Sequence, residues 1–340
     1  MQNKIITGSQ TLFLGKKVGA RKVKPRIHNI AIKQKHVILN KSVSPKTDKK
    51  NLFVAAILFN SIPKETLFEA QKSFSEIFRR DVSDSECTEM LASYEKILRI
   101  NDFDEFCNTA FKQIKKDYGY ENSDIPFFID YKKKSDTMGL TDMLNYCKVT
   151  INFSAITNNE IKEFGKNLKL KVLQTLIHEF QHIKQAEYAC RTDMNAYVNA
   201  LFEESRVNQF CISYLKNKIE DNDSIAKMAK KHNIKEENIK KKLLNDIDKI
   251  KTCGYLEVST FKNFINSERE KAKTAFEILW GKSQKFEQNS CEYKLGKAYI
   301  DNRKNYISHK TNVYLYYSQI LEREAFKAED AANAIFEKLI

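Results

Sequence analysis

Residues 175–185 read TLIHEFQHIKQ and contain the spacing His-Glu-x-x-His, with histidines at 178 and 182. On an α-helix, residues four apart lie on one face, one turn above the other. His178 and His182 can therefore direct imidazole nitrogens at one metal ion. Glu179 lies one step around the helix, where its carboxylate reaches a water on the metal without being a ligand. The segment predicts a metal site with His178 and His182 as ligands and Glu179 as general base.

Apolar residues at helical spacing surround this motif and predict one long helix over about residues 166–190. The apolar positions are Leu173, Leu176, Ile177, Phe180 and Ile183. A helix with so wide an apolar surface is buried, and burial holds the two histidines in place. The alternative interpretation is a pair of ordinary helix histidines beside an ordinary glutamate.

Two segments before the motif have the composition of strands. IPFFIDYKK (125–133) is entered through Pro126, and CKVTINFSAI (147–156) is rich in β-branched residues, while Gly139 between them marks a turn. The rest of the chain from residue 51 has helical periodicity and, after Pro126, no proline. The sequence therefore predicts an α+β fold that is predominantly helical, with a small antiparallel sheet beside the motif helix.

The pattern along the chain predicts five regions. They are a flexible basic arm (1–50), a helical region (51–118), a core with strand and motif helix (119–190), a helical insertion (191–310) and a C-terminal helix (311–340).

Charge and cysteine content suggest where the protein acts. The net charge is +14, and the arm holds 13 basic residues against one acid, Asp48. Such an arm binds nucleic acid or an acidic partner, or simply solvates a disordered end. The seven cysteines form no Cys-x-x-Cys pair, and there is neither a secretory signal nor an apolar run of about 20 residues. We expect a cytoplasmic protein with no transmembrane segment.

The motif and its setting resemble the zincin metallopeptidases, in which a strand before the motif helix forms the edge of the cleft. CKVTINFSAI occupies that place here. Gln185 and Tyr188 stand where the extended motif has Gly and a third His. The resemblance is therefore to the gluzincin-like branch, whose third ligand is a downstream glutamate, and it implies one Zn²⁺ ion and a peptide or protein substrate.

The resemblance also implies where the third ligand lies. In LEREAFKAEDA (321–331), Glu322 is followed three positions later by the small residue Ala325, as in that branch. The alternatives are Glu324 and the pair Glu203 and Glu204, which lie closer to His182 along the chain. Just before Glu322, three tyrosines are candidates to stabilise an oxyanion. They are Tyr314, Tyr316 and Tyr317.

The implied activity is peptide-bond hydrolysis, with Glu179 taking the proton from the attacking water and passing it to the leaving amine. Two other functions remain open. One is a regulatory peptidase of a repressor-like partner, because SIAKMAKKHNIKEENIKKKLL (224–244) faintly resembles a helix-turn-helix. The other is a nucleic-acid-associated protein with a working basic arm and a non-catalytic zinc site.

Overall fold

In this computed structural model, the description covers most of the chain after residue 63. The described residues are 4–7, 10–13, 64–131, 137–152, 164–308 and 311–339. Most of the predicted basic arm, the start of the next helical region and the end of the predicted strand 147–156 lie outside them. Within the arm, strands β1 (Lys4–Thr7) and β2 (Gln10–Phe13) pair as an antiparallel hairpin.

The described part of the chain is predominantly helical, as the sequence predicted. Three helices precede the sheet: α1 (Lys64–Phe78), α2 (Asp84–Leu98) and α3 (Phe103–Asp117). The side chains of Ser83 and Asp102 cap α2 and α3 by accepting hydrogen bonds from backbone amides of their first turns. Buried apolar side chains of all three helices belong to the hydrophobic core.

The sheet has three strands, β3 (Phe127–Asp130), β4 (Gly139–Asp142) and β5 (Lys148–Asn152), in the order β3-β5-β4. The predicted antiparallel sheet is wrong, because β3 pairs with β5 in parallel and only β4 pairs with β5 antiparallel. CKVTINFSAI, which the resemblance placed at the edge of the cleft, lies at the centre of the sheet. Its described part contains β5, the central strand, whose residues from Val149 to Asn152 are all buried, which an edge strand seldom achieves.

The edge strand beside the motif helix is β4, in a place where the sequence predicted a turn at Gly139. Gly139 is the first residue of β4 and pairs with Ile151. The chain instead turns just before β5, where Tyr146 and Cys147 both have positive φ. Two consecutive residues in this conformation suit the right-handed twist of a hairpin.

The motif helix is α4 (Lys166–Leu201), which continues well beyond the predicted end at Cys190. Asp193 interrupts it with extended backbone, and its carboxylate accepts a hydrogen bond from the amide of Ala196. Asp193 therefore acts as a cap inside the helix, and α4 consists of two helical segments joined at a kink.

The predicted helical region after the motif is confirmed as helical in its described part. It contains α5 (Glu204–Glu220), α6 (Asn222–His232), α7 (Glu236–Cys253), α8 (Ser259–Trp280) and α9 (Cys291–Lys304). The helix-turn-helix candidate is the α6–α7 hairpin, which turns at Asn233 in the left-handed conformation. Every helix in the described residues is too short or too polar to span a bilayer.

The chain ends with the short helix α10 (Val313–Ser318) and the longer α11 (Ile320–Phe336). Helix α11 packs along α4, and so does α9. Ala325 and Ala332 of α11 are fully buried, and such small side chains allow two helices to approach closely. This contact brings the C-terminal end of the chain to the His-Glu-x-x-His motif.

Candidate metal centre

Two helices contribute the side chains of the candidate metal centre. His178 and His182 extend from α4, and Glu322 extends from the first turn of α11. The Nε2 atoms of the two histidines each lie 3.7 Å from Oε2 of Glu322. One possible ligand atom from each residue lies within 4.8 Å of the other two. The structure thus brings together the three residues that the sequence analysis named as metal ligands.

Both imidazoles are oriented by hydrogen bonds on the side away from Glu322. His178 Nδ1 lies 3.1 Å from Oε2 of Glu329, and His182 Nδ1 lies 3.0 Å from Oε1 of Gln185. The amide nitrogen of Gln185 donates to the carbonyl of Leu321, so its oxygen faces His182 and accepts. Both Nδ1 atoms therefore donate, which leaves the two Nε2 atoms to face the acid.

The geometry fits a cation between these residues. Nε2 of His182 is buried and has no hydrogen-bond partner among the described residues. A buried, unpartnered nitrogen of this kind is unfavourable and calls for an explanation. Two imidazole nitrogens with one carboxylate oxygen form a common donor set for a divalent transition metal. A metal ion shared by the three residues would give the His182 nitrogen its partner.

Glu322 is held as a carboxylate inside the protein. Its side chain is fully buried, yet the hydroxyls of Tyr306 and Tyr316 donate to its two oxygens, each at 2.7 Å. Burial alone would raise the pKa of Glu322, but the neighbouring histidines and these hydrogen bonds hold its pKa well below the usual range. Of the three tyrosines predicted near the site, Tyr316 reaches Glu322, whereas Tyr314 is the most exposed.

Burial and the nearby carboxylates act in opposite directions on the two histidines. Burial lowers the pKa of both. In His178, the nearby carboxylates of Glu322 and Glu329 outweigh burial and raise the pKa to about 10. In His182, burial prevails and lowers the pKa to about 4. Without a metal, His178 therefore carries the proton of the pair at neutral pH.

Glu179, the predicted general base, is part of α4, and its side chain lies against strand β4. The Thr141 hydroxyl donates to its Oε2 at 2.7 Å, and burial raises its pKa to about 7. A methyl group on Gly139 would lie 2.5 Å from Oε1 of Glu179 and 2.5 Å from Cγ2 of Thr175. The absence of a side chain at Gly139 therefore makes room for the Glu179 carboxylate.

The other predicted third ligands have different partners. Glu324 binds Arg79 at 2.6 Å and accepts a hydrogen bond from Tyr299. Glu203 caps α5 by accepting from two backbone amides, and Glu204 lies against Gly254. The structure places none of these three glutamates with the histidines.

Several residues of the site were missed by the sequence analysis. Glu329 follows Glu322 by seven residues, two turns along the same face, so helical spacing alone was a usable signal. Tyr306, Thr141 and Gly139 gave no such signal, because each reaches the site through tertiary contacts.

Comparisons with protein-family models, with curated proteins and with solved structures find no match to this chain.

Proposed function

We propose that this chain is a zinc-dependent metallopeptidase with a zincin-like core, acting on a peptide or protein. One observation carries the proposal: His178, His182 and Glu322 converge on a buried His182 Nε2 that has no hydrogen-bond partner in the described part of the chain. The set of two histidines and one carboxylate is that of catalytic zinc sites, which keep a further position open. Structural zinc sites instead use four protein ligands and are rich in cysteine.

Zinc bound at this site would lower the pKa of a water molecule and polarise the substrate carbonyl. Glu179 is adjacent to His178 on α4, and its pKa near 7 suits a group that takes up and returns a proton at neutral pH. In the proposed reaction, Glu179 accepts the proton of the attacking water and delivers it to the leaving amine. The Thr141 hydroxyl keeps the Glu179 carboxylate oriented for both transfers.

Strand β4 and Tyr316 supply the remaining parts of the proposed site. Glu179 lies against β4, an edge strand of the three-stranded sheet, and an extended substrate adds to such an edge through backbone hydrogen bonds. The Tyr316 hydroxyl already lies at the Glu322 oxygen that faces both imidazoles. To stabilise the developing oxyanion, this hydroxyl would turn its one hydrogen bond from Glu322 to the substrate oxygen.

The first experiment measures zinc in the purified protein. Wild type should contain about one zinc ion per chain, as expected for a single site with three protein ligands. Zinc should be lost from each of three variants: His178→Ala, His182→Ala and Glu322→Ala. Glu324→Ala should retain its zinc, because Glu324 is two residues from Glu322 and lies on the other side of α11. Absence of zinc from the wild type, or full zinc in Glu322→Ala, would refute the metal centre.

The second experiment tests catalysis apart from metal binding. A mixed peptide library incubated with zinc-loaded wild type should be cleaved, and cleavage sites can be read by mass spectrometry. Glu179→Gln should keep its zinc and lose the cleavage, because the amide cannot accept the proton. Cleavage by this variant at the wild-type rate would exclude Glu179 as the base.

A further inference from the structure

An aromatic surface next to His178 suggests which substrate side chains the site accepts; this inference rests on the proposed function. We propose that Tyr317 and Phe326, here called the aromatic wall, bind a large apolar side chain of the peptide substrate beside the scissile bond.

The aromatic wall begins at a proposed metal ligand and opens to solvent. The ring of Phe326 lies 4.7 Å from the ring of His178, edge to face, and the ring of Tyr317 lies 5.0 Å from that of Phe326. Phe326 is half-buried, whereas Tyr317 is 46% exposed. Two ring contacts therefore lead from the candidate metal centre to the surface.

Helix α10 extends this surface with an unusual amount of exposed apolar area. Four of its six residues are large, hydrophobic and exposed. They are Val313, Tyr314, Leu315 and Tyr317. Tyr314 lies one turn before Tyr317, so both lie on the side of the helix that extends the aromatic wall, whereas Leu315 lies on the opposite side and does not belong to this surface. Clustered exposed apolar side chains of this kind mark binding surfaces.

The position of α10 connects this surface to the metal centre rather than to a remote partner. The residue just before Tyr317 in the helix, Tyr316, donates a hydrogen bond from its hydroxyl to Oε2 of Glu322. A peptide whose carbonyl lies at the metal centre advances only about 3.4 Å per residue. The side chain next to that carbonyl therefore falls within reach of the aromatic wall. Aromatic rings favour another aromatic or a branched aliphatic group as the partner.

Two small probes of the zinc-loaded, full-length protein test this assignment without relying on turnover. Acetohydroxamate carries the zinc-binding group alone, and 3-phenylpropionohydroxamate adds a phenyl ring. Calorimetric titration should give a dissociation constant about tenfold lower for the phenyl compound, as one well-placed aromatic contact contributes.

Variants of α10 show which residue causes the higher affinity for the phenyl compound. Tyr317→Ala should abolish the advantage of the phenyl compound but leave acetohydroxamate binding unchanged, and Tyr317→Phe should retain the advantage. Leu315→Ala is the matched control, because Leu315 is equally exposed and lies on the opposite side of α10. The inference would be overturned if the phenyl compound bound no more tightly than acetohydroxamate to the wild type, or if its higher affinity were the same in Tyr317→Ala. In either case, binding of zinc and acetohydroxamate would still support the metal centre. A chain that bound neither zinc nor acetohydroxamate would overturn the proposed function as well.

Discussion

Glu329 Oε2 lies 3.1 Å from Nδ1 of His178, on the side of the imidazole away from Glu322. Both acids belong to α11, so one helix supplies a carboxylate to each nitrogen of the same histidine. A carboxylate behind a metal-binding histidine fixes its tautomer and raises its basicity. Glu329 therefore has a positioning role in the proposed metal centre.

We predict that Glu329→Gln weakens zinc binding by about 10- to 100-fold, the range found for partners of ligating histidines. The amide keeps the shape of the side chain but removes the charge. Competition with a chelator of known affinity measures the dissociation constant. Asp330→Asn is the control, because Asp330 is the exposed neighbour of Glu329 on α11. Equal loss of affinity in both variants would show a general charge effect instead.

Gly139→Ala should separate the general base from the metal ligands. The added methyl group would lie 2.5 Å from Oε1 of Glu179, so the carboxylate must move. A displacement of about 1 Å can lower the rate on the order of 100-fold. We expect peptide hydrolysis to fall by that order while zinc content stays at the wild-type level. Loss of zinc in this variant would instead indicate that the sheet contact supports the histidines.

The motif helix and its partner helix were predictable because their signals are local. Apolar spacing around His178 predicted that α4 is a buried helix, and the pair Glu322 and Ala325 indicated α11 through the family resemblance. In both cases the relevant side chains lie within three turns of one helix. The structure confirms both helices and places Glu322 at the histidines.

The sheet was predicted less well because strand order depends on contacts between distant segments. Nothing in CKVTINFSAI distinguishes a central strand from an edge strand, although its described part is buried on both faces. Gly139 was interpreted as a turn from its residue type alone. Its role follows from the approach of Glu179, which is 40 residues away in sequence and could be seen only in the folded chain.

The pH dependence of hydrolysis should follow the ionisation of Glu179. Burial raises the pKa of this carboxyl to about 7, whereas the hydrogen bond from Thr141 stabilises the charged form and lowers the pKa. A general base acts when deprotonated, so kcat/KM should rise with pH up to about 7 and then level off. Thr141→Val removes the hydrogen bond, and the rising limb should move to higher pH.

The control for this shift is Thr88→Val, since Thr88 is also buried but lies on α2, far along the chain from the motif. Its profile should match that of the wild type. An unchanged profile in Thr141→Val would mean that Glu179 does not set the rising limb.

Zinc binding should release a proton, because His178 is protonated in the metal-free protein. Burial lowers the pKa of His178, but the nearby carboxylates of Glu322 and Glu329 outweigh it and raise the pKa to about 10. Metal and proton compete for the same Nε2 atom, so at pH 8 binding should release about one proton, and affinity should increase as pH rises toward 10. Calorimetric titrations in two buffers of different protonation enthalpy give the number of protons released per zinc ion bound. In Glu329→Gln the pKa of His178 falls, so fewer protons should be released at the same pH. Equal release from both proteins would show that the proton comes from a group other than His178.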